Sequence, residues 1–86
     1  MEAYTYSLLS KKDYRTYFGS TINLERRLLE HNSGKNISTK GRAPFTIIYS
    51  EKYETIAEAR QRERYFKSRI GRRELQKIFE TLNLGE

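Results

Sequence analysis

Ala3-Tyr4-Thr5-Tyr6-Ser7-Leu8-Leu9, a polar Lys11-Lys12-Asp13, Tyr14-Arg15-Thr16-Tyr17-Phe18-Gly19, and then Asn23-Leu24-Glu25-Arg26-Arg27-Leu28-Leu29-Glu30-His31-Asn32-Ser33-Gly34 form the stretch that decides the fold. Residues 3–9 are rich in aromatic, threonine and leucine side chains, which favour a pleated, half-buried backbone, so they read as a strand. Tyr14 to Gly19 reads as a second strand. The polar connection between them is too short for a crossover, so the pair is an antiparallel hairpin. Gly19 permits a bulge or a close backbone approach. Asn23 is an N-cap for a helix from Leu24 to about Asn32, because its side chain can accept from an unpaired first-turn amide. Asn32-Ser33-Gly34 supplies the stop, with Asn or Gly able to take the left-handed conformation.

Further along, Ser33 to Pro44 is polar and carries Lys35, Lys40, Arg42 and two glycines. It reads as a solvent-facing loop about a dozen residues long, a length at which loops are often functional. Phe45 to Tyr49 reads as a strand, expected to be the most buried in the sheet. Thr55-Ile56-Ala57-Glu58 is a capping box opening a helix that is expected to run to about Arg69 and stop near Gly71. Leu75, Ile78, Phe79 and Leu82 recur at helical spacing and define a last amphipathic helix. The order is ββαβαα: an α/β fold in which a three-stranded, mostly antiparallel sheet is flanked by helices, with residues 1–86 forming a single small domain.

Composition narrows the chemistry. Lys and Arg number 17 against 11 Asp and Glu, a net charge of +6, with seven tyrosines and four phenylalanines. Such an excess draws a protein toward a polyanion and makes binding fall with salt, while aromatic rings either stack on bases or fill a core. No cysteine is present, which excludes disulfides and thiolate metal sites and fits a cytoplasmic location. The apolar runs are too short to span a membrane, and Met1-Glu2-Ala3 lacks a signal-peptide pattern. There is no nucleotide-binding glycine loop, no histidine pair for zinc and no nucleophile elbow to accompany His31.

Polar residues interrupt two apolar faces. On the first helix Leu24, Leu28 and His31 share a face, and Arg27 falls among them. Arg27 is either a core-edge residue whose head reaches water or a phosphate donor; His31 is either a packed, hydrogen-bonded imidazole or a catalytic group. On the second helix Ala59, Phe66 and Ile70 mark a stripe with Glu63 set into it. A carboxylate there needs a partner: an arginine such as Arg60 or Arg27, or a divalent cation. Mg²⁺ is commonly held by one or two carboxylates, with water and substrate phosphate completing the shell. Tyr14, Tyr49, Tyr53 and Tyr65 read as strand and core residues, and Arg72-Arg73 as a solvated helix start.

In this order the chain resembles the GIY-YIG nuclease domain, and the small stand-alone bacterial members most of all. Tyr4-Thr5-Tyr6 and Tyr17-Phe18-Gly19 stand where the family has its two tripeptides. Arg27 follows Tyr17 by ten residues, His31 comes one helical turn later, and Glu63 is the later glutamate. Asn23 through Gly34, Ile48-Tyr49-Ser50-Glu51 and Glu58-Ala59 through Phe66-Lys67 carry the likeness over about residues 3–75. Two features depart from it. Tyr4 and Thr5 replace the glycine and isoleucine of the first tripeptide, and Phe18 replaces the isoleucine of the second. The late asparagine of larger members has no assigned counterpart; Asn83 lies far along the last helix.

The resemblance implies hydrolysis of nucleic-acid phosphodiester bonds, DNA in the first instance and by structure rather than sequence, with one Mg²⁺ or Mn²⁺ on Glu63. Arg27 then stabilises charge on the phosphoryl oxygens, Tyr6 is the general base and Tyr17 orients water or phosphate. His31 either accepts the proton or hydrogen-bonds a tyrosine. Lys35, Lys40, Arg42 and Lys67 are the candidate nucleic-acid contacts. Two other readings stand beside this one: a binding module of the same fold that does not cut, and a protein-interaction domain whose partner docks on the last helix.

Overall fold

The computed structural model describes residues 1–81; Leu82 and Asn83 of the sequence reading lie outside them. Two strands come first, β1 (Ala3–Ser10) and β2 (Thr16–Thr21), followed by helix α1 (Leu24–Asn32). A single 3₁₀ turn at Ile37–Thr39 precedes β3 (Phe45–Tyr53), α2 (Ile56–Lys67) and α3 (Arg69–Thr81). The strands lie in the order β2-β1-β3, with both neighbours antiparallel to β1. The expected ββαβαα arrangement is therefore present.

Burial falls on β1, not on β3 as expected. As the central strand, β1 is covered on both faces. Tyr6 and Leu8 pack with Phe45, Tyr17, Leu24 and Leu28 beneath α1. On the other face the Thr5 hydroxyl donates to the Ala59 carbonyl at 2.7 Å and so pins α2 to the sheet. The β-branched run in β3 suggested a buried strand, but β3 is an edge, and Thr46 and Ile47 are exposed. Its register slips by one residue at Ile48, between the pairs Ser7–Tyr49 and Leu8–Ile47.

Local signals at α1 and the start of α2 work as expected. The Asn23 side chain accepts from the Arg26 amide at 3.0 Å, and Gly34 takes a φ of +77° after the helix. The Thr55 hydroxyl accepts from the Glu58 amide at 3.2 Å. Other boundaries move. β2 begins at Thr16, and Tyr14 lies in the hairpin turn, 75% exposed with a φ of +58°. α2 ends at Lys67, one residue before Ser68 turns the chain. Ile70 is consequently 70% exposed and outside the apolar stripe assigned to it. Gly71, read as a stop, is buried inside α3. A Cβ there would overlap the Tyr65 carbonyl and stand 2.9 Å from the Phe66 Cα, so only glycine lets α3 close on α2.

A polar clamp ties β3 to both helices. Glu51 accepts from Arg62 Nε at 2.8 Å and from the Tyr49 and Tyr53 hydroxyls at 2.5 and 2.7 Å. Arg62 also reaches Glu74 of α3 and lies over the Phe66 ring at 4.3 Å. Burial and the Glu51 charge push both phenols up to about 12, so these tyrosines serve as donors to the carboxylate. Tyr49 and Tyr53 thus belong to the scaffold, as the sequence indicated.

Candidate active site

The site is built where the edge strand meets α1. Tyr6 of β1 and Gly19 of β2 are register partners, and the Tyr6 ring lies across the glycine. A Cβ on Gly19 would overlap the hydroxyl and come within 2.6 Å of Tyr6 Cζ, so the approach needs a bare backbone. Arg27 and His31, one turn apart on α1, both reach that hydroxyl. Arg27 Nε donates to it at 3.3 Å, and His31 Nε2 lies 3.0 Å from it. The Tyr17 and Phe45 rings flank the imidazole at centroid distances of 5.0 and 5.9 Å. His31 is wholly buried, and its Nδ1 is 2.7 Å from the Thr39 hydroxyl, which also approaches the Asn36 carbonyl at 3.5 Å.

These contacts assign the protons. Burial outweighs Arg27 and holds the Tyr6 phenol above its ordinary value of 10.0, so Tyr6 keeps its hydrogen. Burial, reinforced by the Arg27 charge, holds His31 below 6.5, so the imidazole is neutral near pH 7. With Arg27 donating into the Tyr6 oxygen, the phenolic hydrogen is left for His31 Nε2. Nδ1 must then carry the imidazole hydrogen and donate to Thr39, whose hydroxyl turns to the Asn36 carbonyl. Every donor in the chain has an acceptor only in this arrangement.

Glu63 arrives from the other face of the sheet. The Ser20 hydroxyl donates to its Oε1 at 2.6 Å, and Lys67 Nζ lies 2.7 Å from its Oε2. The partner is thus neither Arg60 nor Arg27, the arginines anticipated for an ion pair. The carboxylate side chain is 21% exposed and Lys67 48% exposed, so the pair sits at the protein surface. The Glu63 charge adds, after burial and Tyr17, to what holds the Tyr6 phenol up.

Comparison with known proteins adds the ancestry. Residues 2–77 match the family model of the GIY-YIG catalytic domain. The chain belongs to the GIY-YIG family. A UPF0213 protein of Clostridium perfringens is 41% identical over 72 residues, covering 83% of this chain and 77% of that one. A UPF0213 protein of Natronomonas pharaonis is 39% identical over 62 residues, covering 71% and 73%. The NMR structure of the UPF0213 protein BH0048 from Bacillus halodurans superposes with a TM-score of 0.54 at 33% identity, covering 91% of this chain and 85% of that one. The family is generally one of nucleases, with nucleic acid as substrate.

The departures from the GIY-YIG pattern have local causes. Thr5 uses its hydroxyl to hold α2, and Phe18 replaces one apolar residue by another on a half-buried strand. Of the other predicted contacts, Lys35 borders a small cleft with Arg27, Glu30 and Asn36. Lys40 is exposed. Arg42 is bound to Asp13 at 2.7 Å, against the hairpin turn. Sequence reading gave no site role to four contributors. Thr39 was taken for part of an open loop but is fully buried against His31. Ser20 anchors Glu63. Arg26 and Arg60 join Arg27 around a groove of about 510 Å³ beside Ser20 and Thr21, where Glu30 is the only acid among the described residues. None of the four carries a local motif: Ser20, Arg26 and Arg60 are recognisable only once β2, α1 and α2 are brought together, and Thr39 only once its turn folds onto α1.

Proposed function

We propose that this protein is a divalent-metal-dependent endonuclease that hydrolyses phosphodiester bonds, with DNA as the substrate and selection by strand structure rather than by sequence. One observation carries this reading: a tyrosine hydroxyl held between a guanidinium and a buried imidazole, with that guanidinium, Arg27, also lining a groove with Arg26 and Arg60. A substrate phosphate in that groove meets the forked donors of Arg27, which suit the charge that grows on the phosphoryl oxygens. The attacking water passes its proton to the Tyr6 oxygen as Tyr6 passes its own to His31 Nε2. The relay removes the need to ionise a phenol whose burial opposes it. Tyr17, packed on His31, borders the water.

Glu63 is the residue that would hold a cation. Among the described residues no three acidic or histidine side chains cluster, so a site demanding several protein ligands is absent. A single carboxylate suits Mg²⁺ or Mn²⁺, which keep waters and take substrate oxygens. When bound, the ion supplies Lewis-acid stabilisation of the phosphoryl and leaving oxygens. Surface pairs such as Glu63–Lys67 contribute only about 0–1 kcal/mol, so Lys67 can give up Oε2 and take a phosphate instead.

The test is cleavage of single-stranded, duplex and branched DNA in Mg²⁺ or Mn²⁺, alongside Glu63→Ala and Tyr6→Phe. Cutting that both variants abolish supports the reading. Absence of cutting on every substrate, or an unaffected Glu63→Ala, refutes it. Tight binding that ignores chelator and never leads to cleavage would assign the site to a non-cutting binding module.

A further inference from the structure

Among the described residues no strand pairs with the outer edge of β2, and a second groove runs along it beyond the one at Arg27. Its volume is about 560 Å³, within the range of roughly 300–1,000 Å³ for small-ligand pockets. Residues 16–18 of β2 line one side, with the Phe18 ring on the face toward α2 and α3, and Gln76 and Phe79 of α3 line the other. Among the described residues the charged members of its lining are Lys67 and Arg72, both cations. Two residues link this groove to the candidate site: Tyr17, whose ring turns to His31 on the α1 face, and Lys67, whose ammonium sits on Glu63.

We propose that this groove seats one nucleotide of the substrate strand next to the scissile phosphate, its base against Phe18 and Phe79 and its phosphate on Lys67 and Arg72. Aromatic side chains hold bases by their faces and do so for any base. Within a duplex those faces are covered by neighbouring pairs, so the occupant is an unpaired or extruded nucleotide. The Gln76 amide offers both a donor and an acceptor to its edge. The side-chain charge is complementary to a polyanion and leaves an acidic peptide or a neutral metabolite without the base-stacking half of the recognition. For the direction in which the strand runs, this inference rests on the nuclease reading. One groove then reaches Glu63 through Ser20 and the other through Lys67.

Photocrosslinking in chelator separates this proposal from catalysis. A short single-stranded oligonucleotide carrying one 5-iododeoxyuridine is bound and irradiated, and the adducts are located by mass spectrometry. Adducts are expected on Phe18 or Phe79. By fluorescence anisotropy, Phe79→Ala is expected to weaken that oligonucleotide at least about fivefold while leaving a fully paired duplex unchanged. Since Phe79→Ala could disturb α3, the exposed Arg72→Gln is measured too. It is expected to weaken binding and to lower the salt slope by about 0.7. Adducts confined to residues outside the groove, or equal weakening of single strand and duplex, overturn the proposal. So does self-association that Phe79→Ala abolishes, which would assign the groove to a second copy of the chain. Cleavage without groove adducts defeats the subsite and spares the nuclease reading; groove adducts without cleavage do the reverse.

Discussion

The Tyr6 phenol lies directly over Gly19, its partner on the neighbouring strand, and a methyl group at position 19 would overlap the hydroxyl. Gly19 is therefore a positioning residue for the Arg27–Tyr6–His31 chain, although it touches no substrate. Gly19→Ala is expected to push the ring off both hydrogen bonds. A misplacement of about 1 Å can cost on the order of 10²-fold in rate. The variant should keep the far-ultraviolet circular dichroism of the parent and lose at least that factor in single-turnover cleavage. A fully active Gly19→Ala would show that Tyr6 does not act from this position.

His31 gives the fold a pH dependence whose sign follows from its burial. Its folded value lies below 6.5, so as pH falls under 6.5 the unfolded chain binds the proton first, and stability falls with it. The loss continues down to the folded value and then levels. Asp13 acts elsewhere on the scale. Its hydrogen bond from Arg42, with smaller help from the Arg15 amide, lowers it from 3.8 to about 2. That contribution is lost only between those values. Urea unfolding at pH 7.5 and at pH 5.5 should show wild type weakening in the upper window and His31→Gln nearly flat there.

Thr39 fixes which imidazole nitrogen faces Tyr6. Thr39→Val removes the acceptor for Nδ1–H and leaves a buried donor unpaired, at a cost of about 1–3 kcal/mol. Thr39→Ser keeps the oxygen and should restore most of that loss. Cleavage should follow the same order, with the acid limb of the pH–rate profile displaced in Thr39→Val and near its wild-type position in Thr39→Ser. Equal pH profiles for all three proteins would reduce Thr39 to packing.

What the linear chain revealed, and what it withheld, follows the range of each interaction. α1 was legible because its Asn23 cap and Gly34 stop act within a few residues of the helix they bound. The shared face of Arg27 and His31 followed from helical spacing, whereas Tyr6, Tyr17 and Glu63 were assigned to the site by the family resemblance. The structure gathers the two tyrosines, Arg27 and His31, with Glu63 on the other face of the sheet. β3 was misjudged because its place at the sheet edge depends on β1 pairing with both neighbours. Gly71 was misread because what it makes room for is the Tyr65 carbonyl of another helix. Thr39 gave no signal at all: nothing near it in sequence shows that His31 waits above. The partner of Glu63 depended on two contacts, one local at Lys67 and one across 43 residues at Ser20.

Ser7 supplies a test of the scaffold independent of function. Its hydroxyl is buried in the middle of β1 and is the one buried side-chain polar atom among the described residues without a hydrogen-bond partner. An unpaired buried group of this kind costs about 1–3 kcal/mol, so Ser7→Ala should stabilise the fold, by about 1 kcal/mol once the small void is counted. In a domain of this size that corresponds to a rise of roughly 4–8 °C in Tm. A lower Tm for Ser7→Ala would mean that the hydroxyl has a partner in solution.

Arg26 and Arg60 offer the most direct measure of how the phosphate backbone is gripped. Both border the groove beside Ser20, on different helices, and neither has an ion-pair partner among the described residues. A cation free of internal pairing can release the counterion of a phosphate, and each such contact adds about 0.7 to the salt slope for a single strand and about 0.9 for a duplex. Arg26→Gln and Arg60→Gln should each lower that slope by one such step and weaken binding by a similar factor for every sequence tried. The double variant should lower it by two, because each arginine stands on its own helix and would meet its own phosphate. Arg42→Gln is the control. Its guanidinium is already committed to Asp13, so the slope should stay within error of wild type. If Arg42→Gln lowers the slope and the two groove variants leave it unchanged, the strand passes over the hairpin turn and the loop at 33–44 rather than through the groove at Arg27.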